Sequence, residues 1–166
     1  MPSLKKQNLQ HAQYASRSIQ ELFSEDNIDH AATREYNYTS SCVAYGNKDP
    51  QFDVVKLPVP VQLSSVNAIA ITDVNGDNKP DVVMGGNVFA LQPQFCRLDA
   101  SYGHLMLNEG NRKLVYTSNK TSGIQVSGAV RDLVPFQAGK QKHLLVLQNN
   151  DSAVVYRYNN SPLSRQ

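Results

Sequence analysis

The sequence predicts a mainly β chain of short antiparallel strands behind an N-terminal helical segment, and two observations carry that prediction. From residue 35 onward, short runs rich in Val, Ile, Tyr and Thr alternate with clusters of Gly, Asn, Asp and Pro, the pattern of strands closed by tight turns. Before residue 35, Ala12, Ala15, Ile19, Leu22 and Phe23 recur at spacings of three and four, which draws one apolar stripe along a helix. The expected organisation is a helical lead-in over 1–34 and a β region over 35–166.

In the lead-in, Gln7, Asn8, Gln13, Arg17, Gln20 and Glu21 fill the face opposite the stripe, and the polar stretch 24–27 ends the pattern. A short second helix is expected around 28–32. Strands are expected at 38–45, 52–57, 67–72, 81–85, 104–107, 113–117, 128–134, 143–147 and 153–158. Turn signals separate them, among them Tyr45-Gly46-Asn47, Asn108-Glu109-Gly110-Asn111 and Asn149-Asn150-Asp151.

The β region repeats itself. Val66 to Asp73 resembles Val126 to Asp132 with one gap, Asp81 to Asn87 matches His143 to Asn149, and Ala44 to Asn47 pairs with Met106 to Asn111. The offset of roughly 60 residues exceeds the about 40–50 of a four-stranded propeller blade, and the long stretch 88–103 holds the excess. Strands, turns and repeat together favour two to three antiparallel β-propeller blades over a sandwich.

Composition narrows the function classes. The 166 residues suffice for a domain with its own core, and 40% are hydrophobic. A formal charge of +2, with scattered Lys and Arg, argues against nucleic acid or a membrane surface as partner. No apolar run approaches the roughly 20 residues of a membrane span, and residues 2–20 lack the apolar centre of a signal peptide. The cysteines, Cys42 and Cys96, are too few for a disulfide framework and are expected as small buried side chains. The four histidines are far apart in sequence, so zinc is not expected.

The informative segment is Asp73-Val74-Asn75-Gly76-Asp77-Asn78-Lys79-Pro80-Asp81. Oxygen-bearing side chains at every second position can wrap around one point. Calcium takes six to eight oxygens at about 2.3–2.6 Å. The spacing matches the first half of the twelve-residue calcium loop, where positions 1, 3 and 5 give side chains, 7 a carbonyl and 9 a further ligand. On this reading Asp73, Asn75, Asp77 and Asp81 supply side-chain oxygens and Lys79 its backbone carbonyl. Asn78 stands where such loops usually place Gly, because the turn needs a positive φ that Asn tolerates next best. Met84 stands where the helical loop has its bidentate Glu, and both flanks are strand-like. The alternative is an acidic hairpin turn without metal. Three clustered carboxylates repel one another, and a divalent ion removes that repulsion. Magnesium is disfavoured because it keeps its waters. Asp132, the equivalent in the second copy, is followed by no alternating oxygens and is expected to cap a turn.

The loop followed by Val82-Val83-Met84-Gly85-Gly86-Asn87 resembles the FG-GAP/VCBS repeat, the calcium-loop blade also seen in integrin α-subunit propellers. Residues 92–107, and the ending Leu145 to Asp151 with Val154-Val155-Tyr156, are similar to the C-terminal part of large Bacteroidetes VCBS-repeat proteins that often carry an ASPIC/UnbV domain. The resemblance implies Ca2+ as cofactor and a longer, secreted or surface-anchored parent with a propeller of roughly seven blades. This chain would be its last two to three blades, with the remainder of the propeller as partner.

A non-catalytic module in a binding or scaffold role is therefore expected. The longest loop, 88–103, offers Phe89, Gln92, Gln94, Phe95, Arg97, Asp99 and Tyr102 toward a protein or glycan ligand. Equally, Phe89 and Phe95 can simply fold that loop onto its own blade. A glycan-acting hydrolase would need converging acids outside the calcium loop; Asp99 and Glu109 are the candidates, and nothing in the sequence pairs them. A purely structural assembly role is the remaining alternative. Two to three blades cannot close a ring, so self-association is expected, with two copies covering their bare faces mutually.

Overall fold

A computed structural model describes residues 9–48, 50–92 and 94–158. Residues 1–8 of the expected lead-in, together with Pro93, lie outside that range. The chain divides into two units, one ending at Thr39 and the other beginning at Ser40.

The first unit holds three short helices, α1 (His11–Ala15), α2 (Ile19–Leu22) and α3 (Glu25–Asp29). The single striped helix expected through Phe23 is interrupted at 16–18. Ser18 starts a new helix there, donating its backbone N–H to the Glu21 carboxylate at 2.7 Å. Ser24 caps α3 by accepting from the Asn27 N–H at 3.4 Å, so this helix begins earlier than the expected 28–32. Serine favours the cap over the helix interior, and the Ser18 cap divides the stripe. None of these helices buries a residue.

The second unit is built from antiparallel sheets of two, four and three strands. β1 (Cys42–Gly46) pairs with β2 (Phe52–Lys56). β3 (Val66–Thr72), β4 (Asp81–Gly86), β5 (His104–Gly110) and β6 (Lys113–Thr117) form a meander. β7 (Val130–Ala138), β8 (Gln141–Gln148) and β9 (Val154–Arg157) form the third sheet, also in chain order. Two one-turn helices, α4 (Val59–Gln62) and α5 (Asn119–Ser122), complete the unit.

The middle sheet is apolar on both faces, as the alternation of its strands requires. Ala68, Ala70, Val83 and Leu105 face Val130, Leu133, Leu144 and Val146 of the third sheet, closing one core. Met84 and Met106, from the opposite face, join Leu57 and Val61 in a second core, against which Val43 of β1 packs. Gly85 permits the close approach of the third sheet: a Cβ there would stand 2.7 Å from a Val130 methyl.

β3–β4 and β7–β8 pair alike, though not in the alignment expected from the sequence. Asp81 to Gly86 and His143 to Gln148 take the same places in the two pairings. Val66, however, pairs with Gly86 as Val130 pairs with Gln148, so Val66 answers to Val130 and not to Val126. Both strands carry a bulge at the next residue. The gap belongs in the turn instead. β3 and β4 are joined by residues 73–80, whereas the β7–β8 ladder runs on past Pro135 and closes over Gly139 and Lys140. Asp132 consequently sits inside β7, where it accepts from the Leu133 N–H, and does not cap a turn.

Cys42 and Cys96 are both free and exposed, contrary to the expected burial. Cys42 lies on β1, and Cys96 lies in the 88–103 loop.

Candidate metal centre

Residues 73–81 join β3 to β4 at the end of the middle sheet. The loop turns on two positive-φ residues, Gly76 at 80° and Asn78 at 61°, so Asn78 adopts the conformation that its place in the loop requires. Each early side chain folds back on the loop's own backbone. Asp73 Oδ1 accepts from Gly76 N–H at 2.7 Å and its Oδ2 from Asn78 N–H at 3.2 Å. Asn75 Oδ1 accepts from Asp77 N–H at 3.0 Å, and Asp77 Oδ1 from Lys79 N–H at 2.9 Å. These Asx-type bonds curl the segment and engage its side-chain oxygens with its own N–H groups. The bond from the Lys79 N–H holds the Asp77 carboxyl below its ordinary value.

Asp81 differs from the others. Its side chain is wholly buried, and both oxygens are used: Oδ2 accepts from Val74 N–H at 2.9 Å and Oδ1 from Asn108 N–H at 2.8 Å. It thereby ties the start of the loop and strand β5 to the start of β4. Burial raises its pKa above the ordinary carboxylate value, against the lowering effect of the two N–H donors, and the charges of Asp77 and Asp73 add to the rise. The three carboxylates therefore sense one another. Asn108 extends the anchor by donating from its side chain to Pro80 O at 3.0 Å.

Two lysines approach the acids. Lys79 Nζ lies 3.3 Å from Asp77 Oδ2, and Lys142 Nζ, from β8, lies 3.5 Å from Asp73 Oδ2. The donor set suits a hard cation in kind: three carboxylates, one amide and the neighbouring carbonyls. In arrangement it is not converged. Among the described residues, no group of three His, Cys, Asp or Glu side chains stands close enough together to hold a metal ion.

The 88–103 loop is pinched at its base by an isolated bridge, Val88 N–H to Leu98 O at 2.8 Å and Leu98 N–H to Val88 O at 3.0 Å. Beyond the bridge, the Arg97 guanidinium lies 4.2 Å from the centre of the half-buried Phe89 ring. Gln92, Phe95, Arg97, Asp99 and Tyr102 are exposed. Phe89 is thus half-buried, whereas Phe95 is exposed.

The sequence reading missed Asn87 as the anchor of this loop. It is buried, with φ 77°. Its Oδ1 accepts from Ser64 Oγ at 2.8 Å and Ser101 N–H at 2.9 Å, and its Nδ2 donates to Ser101 O at 2.8 Å and Ser127 O at 3.1 Å. One amide therefore joins the lead-in to β3, the end of the loop and the lead-in to β7. The signal available was an Asn after Gly85-Gly86 at a strand end, where positive φ is common for Asn.

Ser101 and His104 form a second buried pair, Oγ to Nε2 at 3.1 Å. Among the described residues His104 Nδ1 has no hydrogen-bond partner, and both residues are buried. A cleft of about 240 Å³ opens between the two larger sheets, lined by Val74, Leu105, Ile124, Leu144, Tyr156 and Arg157. That is smaller than the roughly 300–1,000 Å³ of drug-sized ligand sites.

Compared with known proteins, the chain matches no family model, no curated protein and no solved structure. Among the described residues, no helix is long and apolar enough to cross a membrane.

Proposed function

We propose that this chain is a non-catalytic calcium-binding module built from consecutive β-propeller blades of the FG-GAP/VCBS kind, with a binding or scaffold role in a secreted or surface protein. The observation that carries the calcium reading is the β3–β4 loop itself. Its alternating oxygens sit on one curled loop, held by Asx-type bonds around two positive-φ residues, and the equivalent β7–β8 hairpin closes over Gly139 and Lys140 with none of these side chains. Binding requires Asp73 and Asp77 to exchange a lysine ammonium for the ion, with Asn75 and the Lys79 carbonyl filling further positions. Asp81 contributes charge and fixes the loop's base.

The stacking of the sheets supports the blade reading. β1–β2 answers in the repeat to β5–β6, and β3–β4 to β7–β8, so the three sheets read as the last two, all four and the first three strands of successive blades. The non-catalytic reading is supported at the places where an enzyme would need reactive groups. Glu109 lies 2.7 Å from Lys113, Asp99 lies on the exposed loop, and the Ser101–His104 pair is sealed. The exposed residues of the 88–103 loop, Phe95, Arg97 and Tyr102, are the surface best suited to a protein or glycan ligand.

A second reading rests on the lysines. Lys79 and Lys142 can neutralise the loop without metal, which makes it a structural hairpin. Titration calorimetry separates the two. The calcium reading expects one saturable site per chain, lost in both Asp73→Ala and Asp77→Ala. The metal-free reading expects no calcium heat, and destabilisation by Lys142→Met instead of tighter calcium binding.

A further inference from the structure

Asn75 is the only asparagine of the chain that is followed by glycine. In an Asn-Gly pair the glycine's backbone nitrogen can attack the side-chain carbonyl carbon of the asparagine and close a five-membered imide ring. A side chain on the second residue hinders that approach. Gly76 has none, and the place where a Cβ would stand is open space. Gly76 is exposed and Asn75 half-buried, so water reaches the pair.

The fold adds a contact at each reacting group. Asp73 Oδ1 accepts from the Gly76 N–H at 2.7 Å, so a carboxylate stands at the proton that this nitrogen must lose. Lys142 approaches the other oxygen, Asp73 Oδ2, and leaves Oδ1 to Gly76. The Asp77 N–H donates to Asn75 Oδ1 at 3.0 Å, so a donor stands at the oxygen on which negative charge develops during the attack. Asn78, the other asparagine of the loop, is an internal comparison. Asp77 Oδ1 accepts from the Lys79 N–H at 2.9 Å, but Lys79 carries a side chain where Gly76 carries none.

We propose that Asn75 is a self-modification site, converted by its own loop to aspartate and isoaspartate. The Gly76 nitrogen bonds to Asn75 Cγ as Asp73 Oδ1 takes its proton. The Cγ–Nδ2 bond then breaks, and Nδ2 leaves as ammonia with that proton. Water opens the imide at either of its carbonyl carbons, which leaves aspartate or isoaspartate at position 75. Both products add a negative charge beside Asp73 and Asp77. Isoaspartate also routes the main chain through the former side chain, lengthening it by one methylene within the loop. The reaction uses only the loop and water, and it stands whether or not the loop binds calcium.

Timed incubation of the full chain in chelator at pH 7.5 tests this, with peptide mass mapping of every asparagine and chromatographic separation of aspartate from isoaspartate. Asn75 should convert ahead of Asn78 and the other asparagines, and both products should form. The folded wild type should convert faster than the same chain in denaturant, where the contacts of Asp73 and Asp77 are lost. Asp73→Asn should slow the folded chain at least about tenfold, the low side of what a placed proton acceptor contributes. In denaturant the same substitution should change the rate little. If far-ultraviolet dichroism shows that Asp73→Asn does not fold, the comparison of folded and denatured wild type decides. An Asn75 that keeps its amide while other asparagines convert overturns the proposal. So does a wild type that converts more slowly folded than denatured, or a folded Asp73→Asn chain that converts as fast as the wild type.

Discussion

Asn87 concentrates more structure than any other polar side chain described here. Asn87→Ala would leave the Ser101 N–H and several carbonyls buried without partners, at about 1–3 kcal/mol per unsatisfied group. The expected result is a loss of stability together with faster amide exchange in residues 88–103; a loss of stability without that local effect would contradict the anchor role. His104 carries a pH prediction. Burial lowers its pKa below the ordinary imidazole value of 6.5, favouring the neutral ring. Its neutral partners in the fold are the Ser101 hydroxyl and the Tyr116 ring, 6.1 Å between centroids. A folded pKa below the unfolded one means that stability is complete above about pH 6.5 and is lost as pH falls from there toward the folded value. Thermal melts from pH 7.5 to 5 should show this loss, and His104→Gln should flatten it. The oxygen spacing of the loop and the positive φ of Asn78 were legible in the sequence. The burial of Asp81 was not, because it depends on the Asn108 N–H, which the fold brings from β5.

At the scale of elements, the β5–β6 turn is strained and put to use. Asn111 and Arg112 both have positive φ, at 50° and 61°, the pattern of a type I′ hairpin turn. Arg112 holds its position because its guanidinium reaches Gly46 O, Asn47 Oδ1 and Asp53 Oδ2. Arg112→Gly should relieve the backbone strain yet release β1–β2. Hydrogen exchange should then rise in residues 42–56 and stay unchanged in β3–β4. Equal protection in β1–β2 would mean that the second core alone holds that hairpin. Strand existence was readable throughout, since each of the nine expected runs overlaps an observed strand. Boundaries were less so. The strand expected over 128–134 ends before Pro135, but β7 continues through that residue to Ala138 in an edge strand, where a missing N–H is tolerated. The helical stripe was over-read, because periodicity shows where a helix can be amphipathic and not whether serine caps interrupt it.

At the scale of the second unit, the middle sheet is covered by the third sheet on one face and, around Met84 and Met106, by the second core on the other, where Ile69 and Ile71 stay exposed. The sequence alignment set Val66 against Val126, whereas the strand pairings set it against Val130, because the alignment matched hydrophobic runs and could not see which residues pair. The loop between β3 and β4 carries alternating oxygen side chains that the β7–β8 turn lacks, and it sits beside Lys142 of the neighbouring sheet. Calcium binding there should therefore stabilise the second unit as a whole. A ligand that binds only the folded state adds on the order of 2.7 kcal/mol at about a hundred times its dissociation constant. The most direct measurement is the thermal melt of the wild type and of Asp77→Ala, each in excess chelator and in millimolar calcium. The account predicts a higher melting temperature for the wild type in calcium and none for Asp77→Ala. An identical wild-type melting temperature in chelator and in calcium would contradict it.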